Sequence, residues 1–461
     1  MAPHSEEQGT SAGDHVRPAW RREGTVFVVG VAGLTPDLVE PMMRDGRLPA
    51  LAQVAETGSY GPLGTISPTN SSLLWTTIAT GRHHDDHGID GFQFYRICGV
   101  RVSRSAFRKY GRWGLRALTA IPRLLGLRKR IHFDGRHIKE KTFWDIVSEG
   151  GRTVGMVNWW HSWPARPVNG FVVTDPLHYW RQAWRGKKPV DSHLVYPPGM
   201  LEELKEIMIP PDSIEPERIQ DFVHLDVDEI QRVVSAKDHG RHPAIEVRFL
   251  LSADGTYSRV FHHCLDKWDE VDLAAVYFRG TDIAQHCAFG YMPSAAASDA
   301  TPEEREAFGD VVPRAYEFAD SLVGQVLERM RPEDTLLLMS DHGYARQVEG
   351  GRHGPYGHAL YEPPGVVFAC GNGFRQGVEI EGADVYDVAP TALRMCGFPA
   401  ASNFEGRCLE ELVTEEFRRK YPVPEPIDGY CPRLPRSDAA VMSEEVSKEV
   451  TDHLRALGYL E

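Results

Sequence analysis

The chain has 461 residues, of which 42% are hydrophobic and 25% are charged, as in an ordinary globular protein. Its formal net charge of -14 disfavours non-specific nucleic-acid binding, which depends on a basic surface, but leaves open an anionic substrate held through metal ions. The seven cysteines are odd in number and form no Cys-x-x-Cys pair, which disfavours a disulfide framework and favours reduced thiols.

The amino-terminal segment, residues 1–23, is polar and lacks the apolar core of a signal peptide. We expect it to be a disordered tail. The chain contains no run of about 18 apolar residues. The sequence therefore predicts no membrane span and a cytoplasmic protein.

Strands and helices alternate in the first part of the chain. Residues 25–31 form a continuous, β-branched apolar run, which is typical of a buried parallel strand. Helices are predicted at residues 36–44 and 49–57. A second strand–turn–helix region begins near Ser59 and leads into residues 71–81.

Residues 95–140 differ from their surroundings because arginine and lysine are interleaved with Tyr, Trp, Leu and Ile. One interpretation is a basic amphipathic segment that lies on a membrane or attracts an anionic substrate. The other is an insertion whose charges face water, which is the commoner origin of such patterns. We predict an insertion here.

The alternation resumes after this segment, with strands predicted at residues 153–157, 273–278, 335–339 and 365–369. We predict a cap or insertion at 175–268 and a long amphipathic helix at 303–330, bent at Pro313. Strands alternating with helices predict an α/β fold, a three-layer α/β/α sandwich with a mainly parallel central sheet and inserted cap segments. This domain would span residues 24–415, followed by an extension at 416–461 that ends in a helix.

Two Asp–His pairs follow predicted strands, which is where ligands bind in open α/β sheets. Asp282 and His286 are four residues apart, so one helical turn would put both on one face. Asp341 and His342 directly follow an apolar strand, where a turn lets both reach one ion or two neighbouring ions. Each Asp could instead be a helix cap or a turn residue.

A glycine-rich loop supplies further histidines, His353 and His358, and either could be a metal ligand. Carboxylate and imidazole donors together suit zinc and similar ions. Two Asp–His pairs and a loop histidine are the ligands expected of a two-metal site, which clamps the attacking and leaving oxygens in phosphoryl transfer.

With these clusters, the sequence resembles the alkaline phosphatase superfamily, in the branch of type I phosphodiesterases and nucleotide pyrophosphatases. The resemblance extends from about residue 25 to residue 399 and is weakest at 175–268. Besides the three clusters, it rests on VVGVAG at 28–33, RLPAL at 47–51, WTTIATG at 75–81 with HGI at 87–89, PVNGF at 167–171 and DVAPTAL at 387–393.

The resemblance implies roles for the matching residues. The nucleophile of the family lies nine residues before the Thr of a Thr-Gly pair, and counting back from Thr80 gives Ser71. Asn70 is a candidate donor to a phosphoryl oxygen. The metal ligands implied are Asp282, His286 and a loop histidine, His358 rather than His353, for one ion, and Asp341 and His342 with the nucleophile for the other.

The chain departs from the family pattern at one ligand. The family has an aspartate in the first turn, and that position is Ala32 here. Asp37, five residues further on, is a poor substitute because it falls inside a predicted helix. Without this carboxylate, the second ion should bind less tightly, and the activation of Ser71 should be weaker.

The sequence thus predicts a metal-dependent hydrolase of small phosphate esters, with diesters favoured by the resemblance. It would act through a phospho-serine at Ser71, with two divalent ions, zinc first and Mn²⁺ or Mg²⁺ as alternatives. The alternative is a silent relative that binds a phosphorylated ligand without turnover, and Ala32 is its main support. Sulfatase chemistry is disfavoured because Leu73 and Trp75 stand where sulfatases have Pro and Arg.

Overall fold

The computed structural model describes residues 22–102, 127–179, 192–236, 242–268, 270–293, 299–344, 363–422, 425–433 and 451. The loop histidines His353 and His358 lie outside this range. So do residues 1–21 of the predicted tail and, except for Thr451, the predicted carboxy-terminal helix.

The described chain alternates strands and helices. The strands are β1 Val26–Val31, β2 Ser59–Gly64, β3 Gln93–Ile97, β4 Val100–Val102, β5 Arg128–His132, β6 Val154–Val157, β7 Gly170–Val173, β8 Val195–Tyr196, β9 Leu273–Phe278, β10 Thr335–Met339, β11 Gly365–Gly371 and β12 Ala383–Asp384. The helices are α1 Pro36–Arg44, α2 Pro49–Thr57, α3 Ser71–Thr80, α4 His84–His87, α5 Phe143–Glu149, α6 Leu201–Ile207, α7 Pro216–Gln220, α8 Val227–Ser235, α9 Pro243–Lys267, α10 Gly280–Ala288, α11 Pro302–Phe308, α12 Val311–Arg329, α13 Val388–Met395 and α14 Glu415–Lys420.

Nine of these strands form one sheet in the order β12-β2-β11-β10-β1-β9-β6-β7-β8. The run from β10 through β1, β9 and β6 to β7 is parallel throughout. Only β11 and β8 run against their neighbours. The mainly parallel sheet predicted from the sequence is therefore confirmed.

Alternate residues of β1 enter two separate cores, which shows that helices cover both faces of the sheet. Phe27 and Val29 pack with α1, α2, α9 and α12, whereas Val26 and Val28 pack with α3, α5 and α13. All six residues of β1 are buried, as expected for a parallel strand covered on both sides. The three-layer α/β/α sandwich is thus confirmed.

The helix predicted over residues 303–330 is two helices. Gly309 ends α11, and α12 starts again at Val311. Pro313 lies in the first turn of α12, where its missing N–H group leaves no hydrogen bond unmade, so it does not bend the helix.

Two further features lie within the segments predicted as insertions. Helix α9 has 25 residues and supplies buried side chains to both cores. Strands β3, β4 and β5 form a separate three-stranded antiparallel sheet in the order β4-β3-β5. No helix in the described part of the chain is long and apolar enough to cross a membrane.

Candidate active site

Three neighbouring parallel strands bring distant parts of the sequence to one edge of the sheet. Strand β1 lies between β9 and β10 and pairs with both. The chain leaves β1 at Ala32, leaves β9 at Arg279 and leaves β10 at Ser340. The residues that follow these strands must therefore meet at the carboxyl edge, where parallel α/β sheets bind ligands.

Helix α10 begins immediately after β9 and carries the first Asp–His pair. Asp282 lies in its first turn, and the His286 Nε2 atom is 3.5 Å from the Asp282 Oδ1 atom. The carboxylate of Asp254 in α9 accepts hydrogen bonds from the backbone N–H groups of Arg279 at 3.2 Å and Gly280 at 2.7 Å. These bonds fix the start of α10 and with it the position of Asp282.

The turn after β10 joins the second Asp–His pair to the first. The His342 Nε2 atom lies 3.4 Å from the Asp341 Oδ2 atom and 3.9 Å from the Asp282 Oδ1 atom. The Ser340 hydroxyl accepts the N–H of Leu34 at 2.8 Å, which ties this turn to the turn after β1. All four predicted ligands within the described residues thus form one cluster linked by these pairwise contacts, although no three of their donor atoms all lie within 4.8 Å of one another.

The carboxylates of this cluster are buried without full compensation. Asp282 and Asp341 are 2% and 0% exposed, and within the described residues the Asp282 Oδ1 and Asp341 Oδ2 atoms accept no hydrogen bond. Burial raises the pKa of Asp341 to about 6, with His342 opposing and Asp282 reinforcing the shift. Buried carboxylates normally have partners or coordinate a metal, so two oxygens that accept no hydrogen bond and lie 3.4–3.5 Å from imidazole nitrogens fit a divalent cation.

The turn after β1 carries no carboxylate. Ala32 is fully buried, and its carbonyl accepts a hydrogen bond from the Thr281 hydroxyl. Gly33 has a φ of +74°, and a Cβ atom there would lie 2.6 Å from the Gln285 side chain. Asp37, the nearest acidic residue along the chain, is exposed in the first turn of α1. Among the described residues of this turn, 32–35, no carboxylate replaces the aspartate expected at position 32, and the Thr35 hydroxyl is buried without a hydrogen-bond partner among the described residues.

Ser71 is the first residue of α3, and its hydroxyl is buried with no hydrogen-bond partner among the described residues. The next serine differs, since the Ser72 hydroxyl donates to the Gly91 carbonyl at 2.7 Å and contacts the His161 Nε2 atom at 2.7 Å. Helix N-termini stabilise negative charge. The Ser71 position therefore favours an alkoxide, and its hydroxyl is not committed to another group.

Asn70 is the N-cap of α3, a role that the sequence analysis did not assign. Its Oδ1 atom accepts the N–H of Leu73 at 3.3 Å, while its Nδ2 atom is buried without a partner in the described residues. The cap therefore orients the amide and leaves its donor unused. The same side chain could hold α3 and donate to a phosphoryl oxygen.

Helix α3 is seated on the central strands by Trp75. Its ring centroid lies 4.5 Å from that of Tyr277 in β9, and a side chain at Gly30 in β1 would overlap it. The Trp159 indole N–H, just after β6, donates to the Trp75 carbonyl at 3.0 Å. Trp75 lies one helical turn after Ser71 in α3. Its contacts therefore place this helix over the ends of β1, β9 and β6.

Two other features of the described chain lie away from this cluster. His83, His84 and Asp85 are the only described group of three metal-ligating side chains with donor atoms within 4.8 Å of one another. They follow the carboxyl end of α3, and His83 caps α4, which accounts for its position. A cavity of about 610 Å³ opens at the amino end of β1, beside Arg22 and Thr25, the end of the sheet opposite the cluster.

Asp254 and Arg279 were not identified from the sequence. Asp254 lies in the middle of α9. Its position among apolar residues was the only sequence signal that could have identified it. Burial raises its pKa to about 6. The Arg279 guanidinium lies 5.9 Å from the Trp160 ring centre and is 5% exposed, and its position three residues before Asp282 was the available signal.

A comparison with protein families identifies the family of the chain. The family model described as type I phosphodiesterase / nucleotide pyrophosphatase matches residues 26–353. No curated protein matches the chain.

Solved structures match the fold at low identity. Alkaline phosphatase PafA is 11% identical, with 86% of this chain and 99% of that chain covered and a TM-score of 0.49. The phosphonate monoester hydrolase of Silicibacter pomeroyi is 12% identical, with coverage of 85% and 77% and a TM-score of 0.45. A murine ectonucleotide pyrophosphatase / phosphodiesterase is 11% identical, with coverage of 85% and 100% and a TM-score of 0.43.

Proposed function

Since the chain belongs to the type I phosphodiesterase / nucleotide pyrophosphatase family, a family of phosphoric ester hydrolases, we propose that it is a metal-dependent phosphodiesterase that acts through Ser71. One observation carries this proposal. The ends of β9 and β10 bring Asp282, His286, Asp341 and His342 together, with two buried carboxylate oxygens that accept no hydrogen bond among the described residues.

The donor set supports zinc, with Mn²⁺ or Mg²⁺ as alternatives. Asp282 and His286 would hold one ion, together with His358 of the loop, and Asp341 and His342 would hold a second. A bound dication lowers the pKa of a nearby hydroxyl and neutralises charge on phosphoryl oxygens. The second position has one carboxylate fewer because residue 32 is alanine, so we expect it to bind its ion more weakly.

Ser71 would attack phosphorus in the first step. Its Oγ atom forms the new bond to phosphorus as the bond to the leaving oxygen breaks, the serine proton passes to solvent, and the leaving oxygen takes a proton from water. Water then cleaves the phospho-serine, which releases the phosphorylated product and restores the hydroxyl. The Asn70 Nδ2 group would donate to a non-bridging oxygen, where charge is spread in the transition state.

The substrate class follows from the family and the site together. We propose a small phosphate diester or pyrophosphate, since a nucleophile and two cation positions serve any ester of this kind. A second candidate function, binding of a phosphorylated ligand without turnover, is favoured by Ala32 alone. Ser71 and the four clustered ligands favour the enzyme, because binding needs no uncommitted hydroxyl at a helix N-terminus.

Hydrolysis of bis-p-nitrophenyl phosphate tests the proposal. We expect turnover by the zinc-loaded protein, loss of turnover with EDTA, and loss of turnover in Ser71→Ala but not in the neighbouring control Ser72→Ala. Thermal melting should show that both variants are folded. Turnover by Ser71→Ala would exclude the proposed nucleophile. Tight phosphate binding without turnover by the zinc-loaded native chain would favour the binding function.

A further inference from the structure

The small sheet β4-β3-β5 concentrates positive charge on an acidic protein. From residue 91 to residue 133 the sequence contains eleven Lys and Arg residues and no Asp or Glu, in a chain of net charge -14. A core of Ile89, Phe94, Phe133 and Ile138 fixes the inner end of this sheet. Five of the eleven, Arg96, Arg101, Arg128, Lys129 and Arg130, lie in the strands of this sheet, which therefore presents their charge on an ordered surface.

The strand register places three of these cations in one row across the sheet. Arg96 in β3 lies directly opposite Arg101 in β4 and Lys129 in β5. Like charges in directly opposite positions destabilise a sheet. Arg101 is partly compensated, since it donates to the Gly88 carbonyl at 2.7 Å and lies over the Phe94 ring.

Arg96 and Lys129 have no such compensation. Both are exposed, and neither forms an ion pair with any described residue. The row is therefore unfavourable in the isolated protein and would be relieved by an anionic surface.

The same sheet also exposes apolar side chains. Val100 and Leu127 are 66% and 49% exposed, and they are the only exposed large hydrophobic residues in the described chain. Both lie at the same end of the sheet, since Val100 is opposite Ile97 and the Cys98 N–H donates to the Leu127 carbonyl at 3.0 Å. The end of the basic sheet is thus apolar.

Arg128 and Arg130 lie on the face of β5 opposite to Lys129. That face also combines charged and apolar groups. The guanidinium carbons of Arg128 and Arg130 lie 4.0 Å and 5.6 Å from the centre of the Tyr95 ring, and the Arg130 side chain donates to the Tyr95 hydroxyl at 3.1 Å. Arginine and tyrosine each combine an apolar body with a polar end, which suits the boundary between water and lipid.

We propose that the sheet β4-β3-β5 docks on an anionic phospholipid surface. Val100 and Leu127 would enter the boundary between headgroups and acyl chains, while Arg96 and Lys129 would pair with lipid phosphates. A lipid surface fits better than a nucleic acid, because a nucleic acid offers no apolar layer for the two exposed aliphatic side chains of Val100 and Leu127.

Co-sedimentation of the full-length chain with vesicles tests this proposal. We expect binding to phosphatidylcholine vesicles that contain phosphatidylglycerol, no binding to pure phosphatidylcholine, and weaker binding as salt is raised. Each basic residue near an anionic membrane is worth about a fivefold change in partitioning, so Arg96→Gln/Lys129→Gln should lose about 25-fold. The matched control Arg44→Gln/Arg232→Gln removes two exposed cations from α1 and α8 and should retain binding.

Val100→Ser leaves the charge unchanged and should lower partitioning by a few-fold, because it removes the apolar contact. Equal binding by Val100→Ser and the native chain would overturn the lipid assignment. So would the absence of binding to anionic vesicles at low salt, equal losses in the two charge variants, or binding to a single-stranded oligonucleotide in preference to vesicles. A melting temperature no lower than that of the native chain shows for each variant that a loss of binding reflects the surface, and Arg96→Gln/Lys129→Gln should melt at a slightly higher temperature because it removes like charges.

Discussion

Replacing Ala32 by aspartate tests whether the site at the strand ends is built around cations. The Ala32 side chain is fully buried, and the N–H of the next residue, Gly33, lies 3.4 Å from the Asp341 Oδ1 atom. A new carboxylate would therefore be buried close to Asp341 and Asp282. Without a cation, two carboxylates about 4 Å apart repel each other by roughly 4 kcal/mol at an effective dielectric constant of about 20.

We expect Ala32→Asp to be less stable than the native chain in EDTA by a few kcal/mol, of the order of this repulsion. With zinc the new carboxylate becomes a ligand, and a ligand present at about 100 times its Kd stabilises the folded state by about 2.7 kcal/mol. Urea unfolding in EDTA and in zinc measures both effects. Elemental analysis should also show more bound zinc in the variant, and turnover of bis-p-nitrophenyl phosphate should rise.

Ala32→Asn is the matched control, because it adds nearly the same volume without charge. It should show the steric loss in both conditions and little extra response to zinc. The reasoning is refuted if Ala32→Asp gains no more stability from zinc than the native chain, or if Ala32→Asn responds as strongly. Either result would mean that no cation binds beside position 32.

Three further predictions concern the surroundings of the cluster. Gly33→Ala should lower the free energy of unfolding by about 1–3 kcal/mol more than Gly46→Ala, as measured by urea unfolding; both glycines have positive φ, but only Gly33 lacks space for a Cβ atom. Burial raises the pKa of Asp254 from 3.8 to about 6, so the folded state binds this proton more tightly than the unfolded chain. Its contribution is complete at low pH and is lost as pH rises through about 6, a change of about 3 kcal/mol; Asp254→Asn should reduce the slope of unfolding across this pH range by this amount and leave the share of Asp341, whose pKa is also raised to about 6, and an unchanged slope would exclude Asp254 as a source. Asn70→Asp keeps the oxygen that caps α3 but replaces the amide donor, so it should lose turnover of bis-p-nitrophenyl phosphate while its melting temperature stays close to native, whereas Asn70→Ala should also lose about 1 kcal/mol of stability; full turnover by Asn70→Asp would show that the amide does not contact substrate.

The sequence predicted the central sheet well because its strands are continuous apolar runs, as in β1 and β10, and such runs are buried on both faces. It also indicated that Asp282 and Asp341 each follow a strand. The distance between the two Asp–His pairs could not be predicted, because it depends on β1 pairing with both β9 and β10 across long stretches of chain.

Other features depended on tertiary contacts that leave little trace in the sequence. Asp254 caps α10 from a different helix, so no local sequence motif predicts this role. The antiparallel sheet β4-β3-β5 could not be predicted, because its strands carry arginine and lysine in place of a regular alternation of apolar and polar residues. The break at Gly309 interrupts an amphipathic pattern that continues on both sides of it.

The position of β1 in the sheet also has a consequence during synthesis. This strand ends at Val31, whereas its two neighbours, β9 and β10, begin only at Leu273 and Thr335 and are made later. At about 5–20 residues per second, translation leaves both edges of an apolar strand without partners for tens of seconds. Until then the sequence VFVVGV is an exposed template for pairing with other chains. The yield of folded protein should therefore depend on chaperones that shield the nascent chain, more than on the stability of the finished domain.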